Sequence, residues 1–156
     1  MITCAFENGV QSSLRHVVVH AIVEDNGKLL LVKRAGPILE TGKWSLPSGF
    51  LDRDETAVEC IVREVKEETG WDTEVIKLFK INTNPGRPKE DRQNVALEFT
   101  LKPLKQTGLP DKEVSKAEWI PFNKLLPLDE FAFDHGETIK QFIDYLKKPF
   151  PLPIFI

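Results

Sequence analysis

Apolar residues recur along the chain in three rhythms, and each rhythm predicts a different element. From His16 to Val23 (HVVVHAIV) they run almost unbroken and are rich in β-branched types, the pattern of a strand covered on both faces. Asp25-Asn26-Gly27-Lys28 ends the run. Asn-Gly tolerates positive φ at both central turn positions and predicts a tight hairpin into a second strand, Lys28 to Arg34. Ala35 to Lys43, with Gly36, Pro37 and Gly42, is expected to be a loop, followed by a short extended piece from Trp44 to Gly49. Strict alternation returns in Glu74 to Asn82 and in Gln93 to Leu101, where Val95, Leu97, Phe99 and Leu101 share a face. Between them, Thr83 to Arg92 carries Pro85, Gly86 and Pro88 and reads as a loop; Lys116 to Pro121 reads as a further short strand.

The third rhythm is helical. Over Thr56 to Thr69, residues Val58, Ile61, Val62, Val65 and Thr69 fall on one stripe, with Arg63, Lys66 and Glu59 roughly opposite, and Gly70 stands where a left-handed helix end needs glycine. A last helix presents Ile139, Phe142, Ile143 and Leu146, with Asp134 and Glu137 spaced as a capping pair. Strands mixed with a few helices predict an α/β sandwich, and 156 residues suit one domain.

Composition narrows the function. A formal net charge of −3 gives no basic surplus for a nucleic acid polymer, while leaving room for a small anion held by local cations. Two cysteines are too few for a disulfide scaffold, and Cys60 reads as a packing residue inside the helix. No window reaches the roughly 20 apolar residues of a membrane span, and Met1 to Glu7 lacks the pattern of a signal peptide. The expected location is the cytoplasm.

The informative chemistry lies in Gly49 to Trp71, GFLDRDETAVECIVREVKEETGW. Glu64, Glu67 and Glu68 sit at helical spacings that bring them to one side, beside the apolar stripe. Three carboxylates that close resist full ionisation unless a cation neutralises them. Mg²⁺ suits such a set, because it takes oxygen ligands and keeps positions for water and substrate phosphates. Spacing alone leaves a second reading open, a solvated acidic face paired with Arg63 and Lys66.

The fixed positions Gly49, Glu55, Arg63, Glu64, Val65, Glu67, Glu68, Gly70 and Trp71 follow the pattern G-x5-E-x7-R-E-U-x-E-E-x-G-U, where U is bulky and apolar. The segment resembles the Nudix box, and KLLLVKR, WSLPSG and EVSKAEWIPFNKL extend the likeness to about residues 16–147. The resemblance implies an α/β/α sandwich with a mixed sheet. It also implies Mg²⁺- or Mn²⁺-assisted attack of water on a nucleoside diphosphate derivative, either ADP-ribose-like or a nucleoside triphosphate. A catalytically idle Nudix domain that senses a nucleotide or binds a protein is the alternative. Residue by residue, it implies Glu64, Glu67 and Glu68 as metal ligands, with the Gly49 carbonyl added, and Glu55 and Arg63 as braces. Glu113 stands where many members place another acidic ligand or base; Glu64 and Glu113 are therefore rival proton acceptors. Ser48, the pair Cys60-Ile61 and Trp71 depart from the usual residues, and none of these changes removes a ligand.

Arg34, Arg87, Lys89 and Arg92 are candidate phosphate contacts from a strand end and a loop. His16 and His20, four apart in a strand, stand roughly 13 Å apart and cannot share a metal. His135 is expected to cap or pack. Its Phe133-Asp134-His135 segment is similar to one in family members of the ADP-ribose pyrophosphatase kind. The apolar tail from residue 149 to 156 is expected to cover itself, on its own domain or on a second subunit as a homodimer.

Overall fold

The structure, a computed structural model, describes residues 2–88 and 92–156. It begins with a small hairpin, β1 (Ile2–Ala5) and β2 (Gln11–Leu14), whose Ile2, Phe6, Val10 and Leu14 are exposed. The main sheet uses β3 (Val17–Asp25), β4 (Lys28–Arg34), β5 (Trp44–Ser45), β6 (Ser48–Phe50), β7 (Trp71–Asn82), β8 (Val95–Gln106), β9 (Val114–Pro121) and β10 (Ile154–Phe155). Its path runs β10-β7-β8-β3-β4-β5, with β6 added to β3 and β9 to β4. Pairings β10/β7 and β8/β3 are parallel and the rest antiparallel, so the sheet is mixed.

The two helices, α1 (Ala57–Thr69) and α2 (His135–Lys147), cover opposite faces and complete the α/β/α sandwich. Alternation along β3 explains how. Val19, Ala21 and Val23 join Cys60, Ile61 and Val65 of α1 in one core cluster. Ile22 joins Phe79, Ile139 and Phe142 in the other. Asn26 and Gly27 take φ of 49° and 75°, making the tight hairpin their dipeptide predicts.

Both alternating strands run longer than the pattern shows: β7 starts directly after Gly70, and β8 continues past the bulge that accommodates Pro103. Val58 and Leu146 do not join the core. They are 48% and 46% exposed, each near an end of its helix where the stripe turns away from the sheet while Cys60 and Tyr145 in the same turns still pack on the core. Trp71 fills its place in the α1 cluster by meeting Trp119 edge to face, ring centroids 5.4 Å apart.

The tail docks on its own chain. Ile154 and Phe155 pair with Lys80 and Ile81, and Leu152 and Ile154 pack on the α2 cluster. Deleting residues 150–156 should cost about 2 kcal/mol, from two partly buried aliphatic side chains and the lost strand pairing. At this size that lowers the melting temperature by roughly 4–8 °C, readable by calorimetry; an unchanged melt would remove the tail from the fold's stability.

Candidate active site

Strands β3 and β4 pair only at their hairpin end, through Glu24–Leu29 and Asp25–Lys28, and then diverge. The gap opens into a cavity of about 640 Å³. Its acidic wall is α1 with β6, and across from it stand residues of β3, β4 and the segment leading into α2.

Helix α1 is set at both ends. Thr56 and Glu59 form a reciprocal capping box, and Gly70, at φ 75°, returns its N–H to the Lys66 carbonyl at 2.8 Å. Between these ends Glu64 reaches back onto β6. A β-carbon at Gly49 would lie 2.0 Å from the Glu64 carboxyl carbon, so the backbone there must be glycine for the acid to reach the cavity. Glu68 is buried and accepts the Ser48 N–H at 2.8 Å.

Arg63 is not the solvated residue its wheel position suggests. It donates to both Glu55 oxygens at 3.1 and 2.8 Å, and its Nη1 reaches Glu64 at 2.7 Å and Glu67 at 3.1 Å. Glu55 also receives the Asp52 N–H at 2.9 Å. Bonding from Arg63 draws the Glu55 carboxyl down to about 2, and Glu55 in return raises the Arg63 pKa. Burial works the other way on Glu64, pushed up to about 7 against the pull of Arg63, and it raises Glu68 well above the usual carboxylate range.

The three carboxylates line the same cavity, each with its own contact. Arg63 stands between Glu64 and Glu67, and Glu68 turns to Ser48. Among the described residues no three acidic, His or Cys side chains are gathered around one ion-sized point. The donor set nonetheless fits a hard divalent cation. It offers carboxylate oxygens beside the backbone of Gly49, and burial makes two of the acids costly to ionise, a cost that a bound cation would offset.

That cost sets the pH dependence of metal-free stability. Glu64 releases its proton near pH 7 when folded but near 4.5 when unfolded, so between pH 6.5 and 8 the unfolded chain holds fewer protons. Stability should fall across this window by about 1 kcal/mol from Glu64 alone, with Glu68 adding in the same direction. His135 offsets part of this fall: burial keeps its folded pKa well below 6.5, so only the unfolded chain carries its proton near pH 6.5 and loses it by pH 8, a gain of roughly 0.4 kcal/mol, whereas Glu55 titrates below the window. Urea melts in EDTA at the two pH values check it; stability that rises with pH would contradict the burial of both acids.

The other predicted residues divide. Glu113 lies on the cavity, in the loop before β9, with its carbonyl held by the Ala35 N–H at 2.8 Å and its own N–H on Asp111 at 2.9 Å. Arg34 also lines the cavity, with Nε bound to the Leu39 carbonyl at 2.9 Å and its guanidinium 5.4 Å from the Phe133 ring centre. Arg92 sits over Phe50 at 5.7 Å, on the rim. Arg87 is buried in the floor and donates to Asp134 through Nε at 3.0 Å and Nη2 at 2.7 Å. Asp134 is therefore no capping residue. It occupies the N-cap position of α2 without a side-chain cap bond, because Arg87 and Asn82 claim its carboxylate. Lys89 lies outside the described residues.

Sequence reading missed the polar floor. Lys80, 2% exposed, stands 3.3 Å from the fully buried Glu98 and donates to Thr138 at 2.8 Å, while the His20 ring lies 4.4 Å from that of His135. His16 and His20 lie on separate contacts, His16 beside Phe50 and His20 beside His135. Asp111, whose N–H holds the Glu67 carbonyl at 3.0 Å, is a further acid on the cavity. A charged residue in the middle of an alternating strand, such as Glu98, was the available signal.

A family model of the NUDIX domain matches residues 14–142. The chain is 33% identical over 127 residues to an ADP-ribose pyrophosphatase of Methanocaldococcus jannaschii, covering 81% of this chain and 72% of that protein. Its fold superposes on a NUDIX hydrolase of Nitrosomonas europaea with a TM-score of 0.81 at 24% identity, over 99% of this chain and 91% of that one. It also matches the NUDIX domain of Shewanella oneidensis NrtR complexed with ADP ribose, at a TM-score of 0.67 and 26% identity, over 86% and 90% of the two chains. The chain belongs to the Nudix family.

Proposed function

We propose that this protein hydrolyses the diphosphate linkage of a nucleoside diphosphate derivative, with ADP-ribose as the favoured substrate and Mg²⁺ as the cofactor. The observation that carries the reading is the wall formed by Glu64 against Gly49 and the buried Glu68, two acids that call for a cation on the side of a cavity large enough for a nucleotide. The choice of ADP-ribose rests on the Methanocaldococcus enzyme and on the ADP-ribose complex of the Shewanella domain.

Glu64, Glu67, Glu68 and the Gly49 carbonyl would hold the metal, which supplies charge neutralisation for the diphosphate and makes water easier to deprotonate. Glu64, which lines the cavity, would take the proton from water. Glu113, facing the same cavity, is the rival. Water oxygen bonds to phosphorus as the bridging P–O bond breaks, giving AMP and ribose 5-phosphate. Arg34 would meet the phosphate charge, while Arg63 and Glu55 brace the acidic wall.

The test is product analysis with ADP-ribose, reduced dinucleotide and nucleoside triphosphates, each with Mg²⁺, Mn²⁺ or EDTA. Metal-dependent AMP release, lost in EDTA and greatest for ADP-ribose, is expected. Faster turnover of a triphosphate would replace the substrate. Binding without turnover of any compound would instead favour a nucleotide-sensing domain.

A further inference from the structure

Leu46 is fully buried and lies between two short strands, where its N–H meets neither water nor a sheet partner. That N–H donates to His135 Nδ1 at 3.0 Å. Two residues later the Ser48 N–H donates to the Glu68 carboxylate at 2.8 Å, and the next residue, Gly49, is the one the Glu64 carboxyl rests against. One extended stretch thus connects a side chain of α2 to the half-buried Glu64 and the buried Glu68 of α1.

His135 is built for the accepting role. Its ring is almost wholly buried, packed 4.4 Å from His20 and 5.9 Å from Phe133, and a ring nitrogen that receives an amide N–H carries no proton. The imidazole is therefore neutral, with its hydrogen on Nε2. Other contacts hold the stretch at its margins: Ala132 N–H on the Trp44 carbonyl and Ala21 N–H on the Pro47 carbonyl, at 2.8 and 2.9 Å. Pro47 has no N–H, so between Ser45 and Ser48 only Leu46 can donate, and His135 receives it.

We propose that His135 is a positioning residue. By accepting the Leu46 N–H through Nδ1, it fixes the backbone that presents Ser48 to Glu68 and Gly49 to Glu64, and so sets the geometry of the acidic wall. Its effect on metal binding rests on the function proposed above; its effect on the backbone does not.

The experiment compares the whole chain as wild type, His135→Asn and His135→Gln. The Asn side chain places an acceptor where Nδ1 stands, whereas Gln extends to the Nε2 position and leaves Leu46 without one. Amide hydrogen exchange in metal-free protein should show Leu46 and Ser48 opening roughly tenfold or more faster in His135→Gln, with His135→Asn close to wild type. Mg²⁺ affinity by calorimetry should fall roughly 10- to 100-fold in His135→Gln and within about threefold in His135→Asn. Equal exchange in all three proteins, or equal acceleration in both variants, would overturn the role of Nδ1. Exchange that follows the expected order, with no Mg²⁺ binding even by wild type, would keep the positioning role for the backbone and reject the metal reading instead.

Discussion

Glu68→Gln should lower turnover roughly a thousandfold and, in metal-free protein, raise the melting temperature. The two effects have one cause. Glu68 is buried, so its carboxylate lacks hydration, and the hydrogen bond it accepts comes from the backbone N–H of Ser48. A charge held this way costs the fold several kcal/mol before partial repayment, and a cation is the group that would make it favourable. Glutamine keeps the volume and offers the Ser48 N–H an oxygen, so the packing survives while the charge is removed. A gain on the order of 1–2 kcal/mol in EDTA at pH 8 is expected, with little gain at pH 5, where Glu68 is already protonated. Steady-state assays and urea melts at the two pH values measure both. Lost activity with lost stability would make Glu68 a structural acid, and retained activity would remove it from the chemistry.

Gly49→Ala should cost roughly a hundredfold in activity, by displacement alone. No charge changes, yet the new methyl would sit where the Glu64 carboxyl now lies, 2.0 Å from its carbon. Glu64 must swing away or β6 must separate from β3, and either movement shifts the acid by an ångström or more. Gly86→Ala is the matched control, since a β-carbon there meets nothing closer than the Asn84 side chain at 3.4 Å. Equal activity in the two variants would mean that the site tolerates a displaced Glu64.

The segment from Gly49 to Trp71 was legible because its chemistry and its helix share one stretch of chain, where i, i+4 spacing translates directly into proximity. The central strands were legible for a similar reason, since unbroken apolar runs have few other uses. The partners of those residues were harder. Arg63 lies away from the apolar stripe on a helical wheel; its pairing with Glu55 as a brace came from the family resemblance, and only the fold shows the contact, eight residues apart. Asp134 looked like a cap until the loop after β7 brought Arg87 to it. Glu98 alternated with apolar residues as a solvent-facing position would, but α2 covers that second face and Lys80 meets it there. Each of these depends on a contact across many residues, which no local period encodes.

Because β3 and β4 separate beyond their hairpin, the two sides of the cavity are anchored independently. The acids hang on α1 and β6, fixed by a capping box, a glycine terminus and a glycine contact. Pro37, Ile38 and Leu39 on one border belong to a connecting loop outside those anchors, whereas Asp111 and Glu113 on another belong to a loop tied to the end of α1 through the Glu67 and Gly70 carbonyls. Changes in the Pro37–Leu39 loop can therefore reshape what the cavity admits without moving the acids held on α1 and β6.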